Sequence, residues 1–182
     1  IKYQARDGWS NRDLLRLAHP RAASPEHDRL FSWVTKGELT AGVVASDESY
    51  ALLENVEALK KAESLQRAVK IVRDAKLPRE AVPTQWLTEA AMWDALLPHM
   101  PTTAMLRNVA TMTRVGLLRS GSNATKLVTA QLRDGARLRK ARVHPLGVLA
   151  ALNTYRKGRG VKGSGTWEPV AAVIDALDDA FY

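Results

Sequence analysis

Glycine and proline interrupt this chain at short intervals, and the stretches between them place their apolar residues at helical rather than alternating spacing. No run of four to eight residues alternates with β-branched or aromatic enrichment, so no strand is expected. The pattern predicts an all-α protein. Ser10 with Asp13 forms a capping-box pattern, in which the hydroxyl accepts from a first-turn amide, ahead of a helix over 11–18. Further helices are expected over 25–36, 47–62, 64–76, 84–97, 101–115, 122–134, 136–142, 145–157 and 169–181. Pro101, Pro145 and Pro169 occupy expected first helical positions, which have no intrahelical amide bond to lose. Amphipathic helices of this length, joined by short turns, are the unit of HEAT-like solenoids, and a solenoid is preferred here over a bundle.

Composition narrows the function. The 182 residues, 46% of them hydrophobic, can bury a core without staples. The chain has no cysteine, which excludes disulfides, thiolate zinc sites and cysteine catalysis, and fits a reducing, cytoplasmic setting. No apolar run approaches the roughly 20 residues that span a bilayer, and the N-terminus lacks the apolar core of a signal peptide, so a soluble chain with no membrane partner is expected. It opens at Ile1 rather than methionine and stops at Tyr182 inside an apolar periodic pattern, which reads as a piece of a longer protein.

The net charge of +8 is unevenly spread: residues 103–163 hold thirteen basic side chains and one acidic, whereas residues 164–182 hold four acidic and none basic. Like charges crowded on one surface repel unless a polyanion neutralises them, and a phosphate backbone is the expected polyanion. Arg12, Arg16 and His19 lie at i, i+4 and i+7 on one side of the first helix, with Leu14, Leu17 and Ala18 on the other. Lys2 and Arg6 stand four apart just before it, and Gly8 is placed to end a helix there. A second set, Arg133, Arg137 and Lys140, repeats the spacing with Arg139 and Arg142 beside it, although Gly135 interrupts it. The plain alternative is a solvated edge where long side chains cover apolar stems.

Other chemistry is disfavoured. Gly158, Gly160 and Gly163 satisfy G-x-G-x-x-G, but they follow a helix rather than a strand and read as a flexible connection. His19, His27, His99 and His144 lack the spacing with carboxylates that marks a metal site, and His99 and His144, beside prolines at helix boundaries, suit capping. No nucleophile elbow or paired acid and base is present, so no enzyme, cofactor or metal is expected. Of the five tryptophans most are expected in the core, with Trp86 and Trp93 at core spacing on one helix and Trp9 stapling the first cap. Asp175, Asp178 and Asp179 on the last helix are expected to repel nucleic acid or to face a neighbouring domain.

The run Lys2-Tyr3-Gln4-Ala5-Arg6-Asp7-Gly8-Trp9-Ser10, continuing through Asp13-Leu14-Leu15-Arg16-Leu17 to His19, resembles the signature of the TROVE domain of the Ro autoantigen family. Met100-Pro101 with Leu106-Arg107-Asn108 and Met112-Thr113 is similar to that family's M-P-x-x-x-x-L-R-N-x-x-x-M-T segment. Ala141-Arg142-Val143-His144-Pro145, Tyr155, Gly158, Gly160, Trp167-Glu168-Pro169 and Ala176 to Tyr182 resemble its close. Residues 1–182 thus look like the C-terminal part of a TROVE domain, without the von Willebrand factor A-like domain and its Asp-x-Ser-x-Ser metal pattern.

The resemblance implies an RNA-binding solenoid of HEAT-like repeats that closes into a ring. It implies a noncatalytic ribonucleoprotein scaffold that binds small noncoding Y RNAs and misfolded or structured noncoding RNA in RNA quality control. Bacterial members work with polynucleotide phosphorylase through an RNA tether. By the match, Lys2, Arg6 and His19 fall on positions implicated in RNA contact, coinciding with the basic cluster read from the residues. The competing reading is a helical-repeat interaction scaffold whose basic stripe docks an acidic protein.

Overall fold

The computed structural model describes residues 8–37, 48–160 and 165–182, with the side chains of 48–50 excepted. Among these it is all-α: α1 (Asn11–Ala18), α2 (Pro25–Lys36), α3 (Glu48–Lys60), α4 (Leu65–Asp74), α5 (Ala90–Leu96), α6 (Thr102–Arg114), α7 (Asn123–Arg133), α8 (Gly135–Lys140), α9 (Pro145–Arg156) and α10 (Ala171–Asp179). No strand occurs in the described residues, where an isolated bridge joins Arg159 to Thr166. The chain packs as two compact units, Ile1–Pro83 and Thr84–Tyr182. No described helix is long and apolar enough to cross a membrane.

Local chemistry sets most boundaries. The capping box forms: Ser10 Oγ accepts from the Asp13 amide at 3.2 Å, and an Asp13 carboxylate oxygen accepts from the Ser10 amide at 2.9 Å. Ser24, Ser64 and Ser122 cap α2, α4 and α7 in the same way, each hydroxyl accepting from the amide three residues on. Pro25 and Pro145 open α2 and α9 as expected of first-turn prolines. Pro101 is instead the N-cap of α6, and Pro169 precedes the Val170 N-cap of α10.

The first unit pairs α1 with α2 and α3 with α4 around Leu53, Leu59, Ala68, Val72, Leu77 and Val82. It is thinly covered: α1 and α2 bury no residue completely, and Leu14, Leu17 and Leu30 are exposed. Trp33 is half-buried, with the Lys60 ammonium 5.4 Å from its ring centroid. Trp9 is 51% exposed and Leu14 54%, so the expected staple leaves both partners substantially open to water.

The second unit has the larger core. There α10 lies against α7 and α9, and α6 packs on α9. Met92, Trp93, Met105, Met112, Leu132, Leu152, Tyr155 and Leu177 are fully buried. The single helix expected over 84–97 is broken: Thr84–Thr88 is a 3-10 turn and α5 starts at Ala90. Thr88 Oγ1 donates back to the Gln85 carbonyl at 2.8 Å, and the Leu87 carbonyl accepts from the Trp93 indole at 2.8 Å instead of continuing a helical ladder. Trp86 and Trp93 therefore lie on different elements, although Trp93 is core as expected.

The glycine-rich connection is a closed turn at its described ends. Gly160 N donates to the Gly165 carbonyl at 3.1 Å and Trp167 N to the Gly158 carbonyl at 2.8 Å. Gly158 has a φ of +62°, and a Cβ there would stand 2.8 Å from the Trp167 carbonyl oxygen, so only glycine fits. This corrects the expectation of a flexible link at Gly158 and Gly160; Gly163 lies outside the described residues.

Candidate nucleic-acid interface

Lys2 and Arg6 lie outside the described residues. Their neighbour Gly8 has a φ of +83°, the left-handed conformation expected of a helix-terminating glycine. Arg12, Arg16 and His19 are exposed along α1. Arg12 Nε donates to the Val34 carbonyl at 3.3 Å and Arg16 Nη2 to the Thr35 carbonyl at 3.4 Å. Both acceptors belong to the last turn of α2, where unpaired carbonyls and the helix dipole attract cations. The bonds are long, hence weak, and use one of the five guanidinium donors on each arginine.

The Ser10 hydroxyl and amide hold the Asp13 carboxyl below its ordinary titration range, with smaller help from Arg16 and Arg12. This carboxylate belongs to the cap, and it also lowers the net positive charge of the α1 face. His19 is the C-cap of α1, its amide donating to the Leu15 carbonyl at 3.1 Å with a φ of +41°.

The second basic set is not one helical stripe. Asp134 ends α7 and caps α8, its Oδ1 accepting from the Arg137 amide at 2.9 Å, so Arg133 and Arg137 stand on separate helices. The break is at Asp134, and Gly135 is the first residue of α8. Arg133 Nε donates to Asp179 Oδ2 at 2.8 Å, and Arg137 Nε to the hydroxyl of buried Thr102 at 3.0 Å. Asp178 accepts from Arg156 Nη2 at 3.4 Å. Two of the three C-terminal aspartates thus pair with this unit's own arginines, in ion pairs that stay about half exposed, and Asp175 is exposed. Arg139, Lys140 and Arg142 remain exposed and pair with no carboxylate among the described residues.

Arg142 follows α8 with a φ of +51°. The Val143 amide donates to the Leu138 carbonyl at 3.1 Å and the Arg142 amide to the Arg139 carbonyl at 3.0 Å, a Schellman closure whose left-handed position normally takes glycine. Arginine there costs about 1–2 kcal/mol of backbone strain. Lys76 after α4 adopts the same conformation, so a cation near a helix C-terminus is part of the explanation. Arg142 differs in lining a groove with Arg107 and His144. His144 caps α9, its Nδ1 accepting from the Leu146 amide at 3.2 Å, as its place before Pro145 suggested. Arg107 was absent from the sequence-derived set because no cation lies within one turn of it on α6, where the other arginine is Arg114, and only packing brings it to Arg142.

An all-α chain with exposed cations gathered on α1 and around α8 defines a helical protein with anion-attracting faces. Residues 1–157 match the model of the TROVE domain, and the chain belongs to that family. It is 36% identical over 182 residues to the RNA-binding protein RO60 of Deinococcus radiodurans, covering all of this chain and 34% of that protein. The RNA-binding protein RO60 of Caenorhabditis elegans is 34% identical over 223 residues, again covering all of this chain and 34% of the relative. The crystal structure of the Deinococcus radiodurans RO (RSR) protein, a helical TROVE solenoid, superposes with a TM-score of 0.85 at 35% identity, over all of this chain and 36% of that one. The chain therefore spans about a third of the length of the relatives it matches.

Proposed function

We propose that this chain is a noncatalytic RNA-binding part of a ribonucleoprotein scaffold, holding RNA by its phosphates. The observation that carries the reading is the exposed group Arg139, Lys140 and Arg142, which pairs with no carboxylate among the described residues, in a chain whose relatives are named RNA-binding proteins. Arg133 and Arg137 flank this group, and their internal bonds are of a kind that phosphate can compete for: the Arg133 pair is exposed on both sides, and such pairs contribute about 0–1 kcal/mol. Lys2, Arg6, Arg12, Arg16 and His19 form the second proposed contact region.

The proposal extends to the family's small noncoding Y RNAs and to misfolded RNA in quality control, with polynucleotide phosphorylase joined through an RNA tether and a von Willebrand factor A-like domain as a partner region. Filter binding of a structured RNA at several salt concentrations tests it. The logarithm of affinity is expected to fall linearly with that of salt, and Arg139→Gln with Lys140→Gln should weaken binding and reduce the slope by about 0.9 for each duplex phosphate that is no longer neutralised. An unchanged affinity and slope would remove this face from the interface. Binding to an acidic protein with no RNA affinity would favour the interaction-scaffold reading.

A further inference from the structure

In the second unit a cavity of about 440 Å³ opens between α6 and α9. Leu106 and Val109 form its buried aliphatic floor. Arg107, Arg142 and His144 stand exposed along it, and no acidic residue among those described lines it. The α6 side runs from Thr103 to Ala110 and the α9 side from Gly147 to Thr154, each about two helical turns or 10 Å. Gly147 is exposed in the first turn of α9, and a Cβ built there meets nothing within 4 Å. Its φ is not in the left-handed region. Neither packing within the unit nor the backbone therefore calls for glycine, a poorer helix former than any residue but proline. With Ala150 and Ala151 beyond it, the α9 wall is a lane of small side chains, which lets the axis of another helix approach closely.

We infer that this groove docks two turns of an acidic amphipathic helix from a protein partner. The helix sets apolar side chains on Leu106 and Val109, brings its backbone close over Gly147, and turns carboxylates to Arg107, Arg142 and His144. His144 Nδ1 accepts from the Leu146 amide, so the neutral ring carries its hydrogen on Nε2 and remains a donor. A helix fills such a groove through anchors at i, i+3 or i+4 and i+7, a span that matches the length of both walls. The charge complement is one-sided, since cations and no acid line the groove. A nucleotide base fits less well, because stacking platforms are aromatic and no Phe, Tyr or Trp among the described residues lines it. The inference goes beyond the RNA-binding reading and stands without it. Arg142 belongs to both surfaces, so Arg107 and Gly147, which lie outside the proposed RNA contacts, carry the test.

Fluorescence anisotropy of the whole chain is measured with a panel of labelled helical peptides of about 15 residues. Each carries leucine at i, i+4 and i+7 with glutamate beside them, in different registers. Scrambled peptides of the same composition, and peptides with glutamine in place of glutamate, are the controls. At least one patterned acidic peptide is expected to bind about tenfold more tightly than both controls, and less tightly as salt rises. Gly147→Leu fills the lane; it should melt no lower than wild type yet bind that peptide about tenfold more weakly. Arg107→Gln should weaken the peptide by about the same factor through loss of a charge-assisted contact. Patterned peptides that bind no better than their scrambled controls, or that bind both variants as they bind wild type, overturn the inference. An oligouridine octamer that loses affinity in Gly147→Leu, where no peptide binds wild type, overturns it as well and assigns the groove to RNA.

Discussion

Replacing Tyr155 by phenylalanine removes one oxygen from the centre of the second unit, where the residue is fully buried. Thr113 Oγ1 donates to the Val109 carbonyl at 2.9 Å, so in the 2.9 Å contact between the two hydroxyls Tyr155 is the donor. The same hydroxyl accepts from the Val170 amide at 3.2 Å, fixing the start of α10. One oxygen thus ties α9 to α6 and to the entry of α10, and its loss leaves the Val170 donor unmatched. Two net hydrogen bonds at about 1 kcal/mol each give a destabilisation of about 2 kcal/mol, and the unmatched amide extends the range to about 3. For a cooperative unit of about 100 residues this is a fall in Tm of about 10 °C. Far-ultraviolet circular dichroism melts measure it. Thr113→Val should show a coupling of about 1 kcal/mol with Tyr155→Phe in a double-mutant cycle, whereas Tyr182→Phe, at a residue 97% exposed, should change nothing. A Tyr155→Phe variant that melts with wild type would refute the assignment of the hydroxyl as the tie between these helices.

Asp179→Asn frees Arg133 from its surface pair, and RNA affinity should rise by up to about fivefold at low salt, in filter binding, because such a pair contributes about 0–1 kcal/mol; weaker binding would mean that Arg133 is needed where Asp179 holds it. The Asp13 carboxyl is held below its ordinary value, so its contribution to α1 is present above the unfolded pKa and is lost as pH falls through the lower folded one. Far-ultraviolet dichroism of Asp13→Asn against wild type should therefore differ near neutral pH and converge in strong acid, and parallel profiles throughout would exclude the carboxylate from the cap.

The all-α class, the Ser10 and Asp13 box and the Pro145 start of α9 were legible in the sequence because each depends on residues within one turn of each other. The cations of α1 were legible for the same reason, as helical spacing alone puts Arg12 and Arg16 on one face. The break at Thr88 was not, since the Trp93 side chain takes the carbonyl of Leu87, six residues before it, that would have continued the helix. Nor was the fate of the second basic set. Arg133 meets Asp179 across 46 positions and Arg137 meets Thr102 across 35, so charge counting could locate an excess of arginine but not which arginines are already engaged. The groove of Arg107, Arg142 and His144 likewise exists because α6 packs on α9. Short-range hydrogen bonding and helical periodicity act within a few residues and are written along the chain, whereas pairing of charges and the shape of a cavity depend on which helices meet, and that is settled by burial of the core.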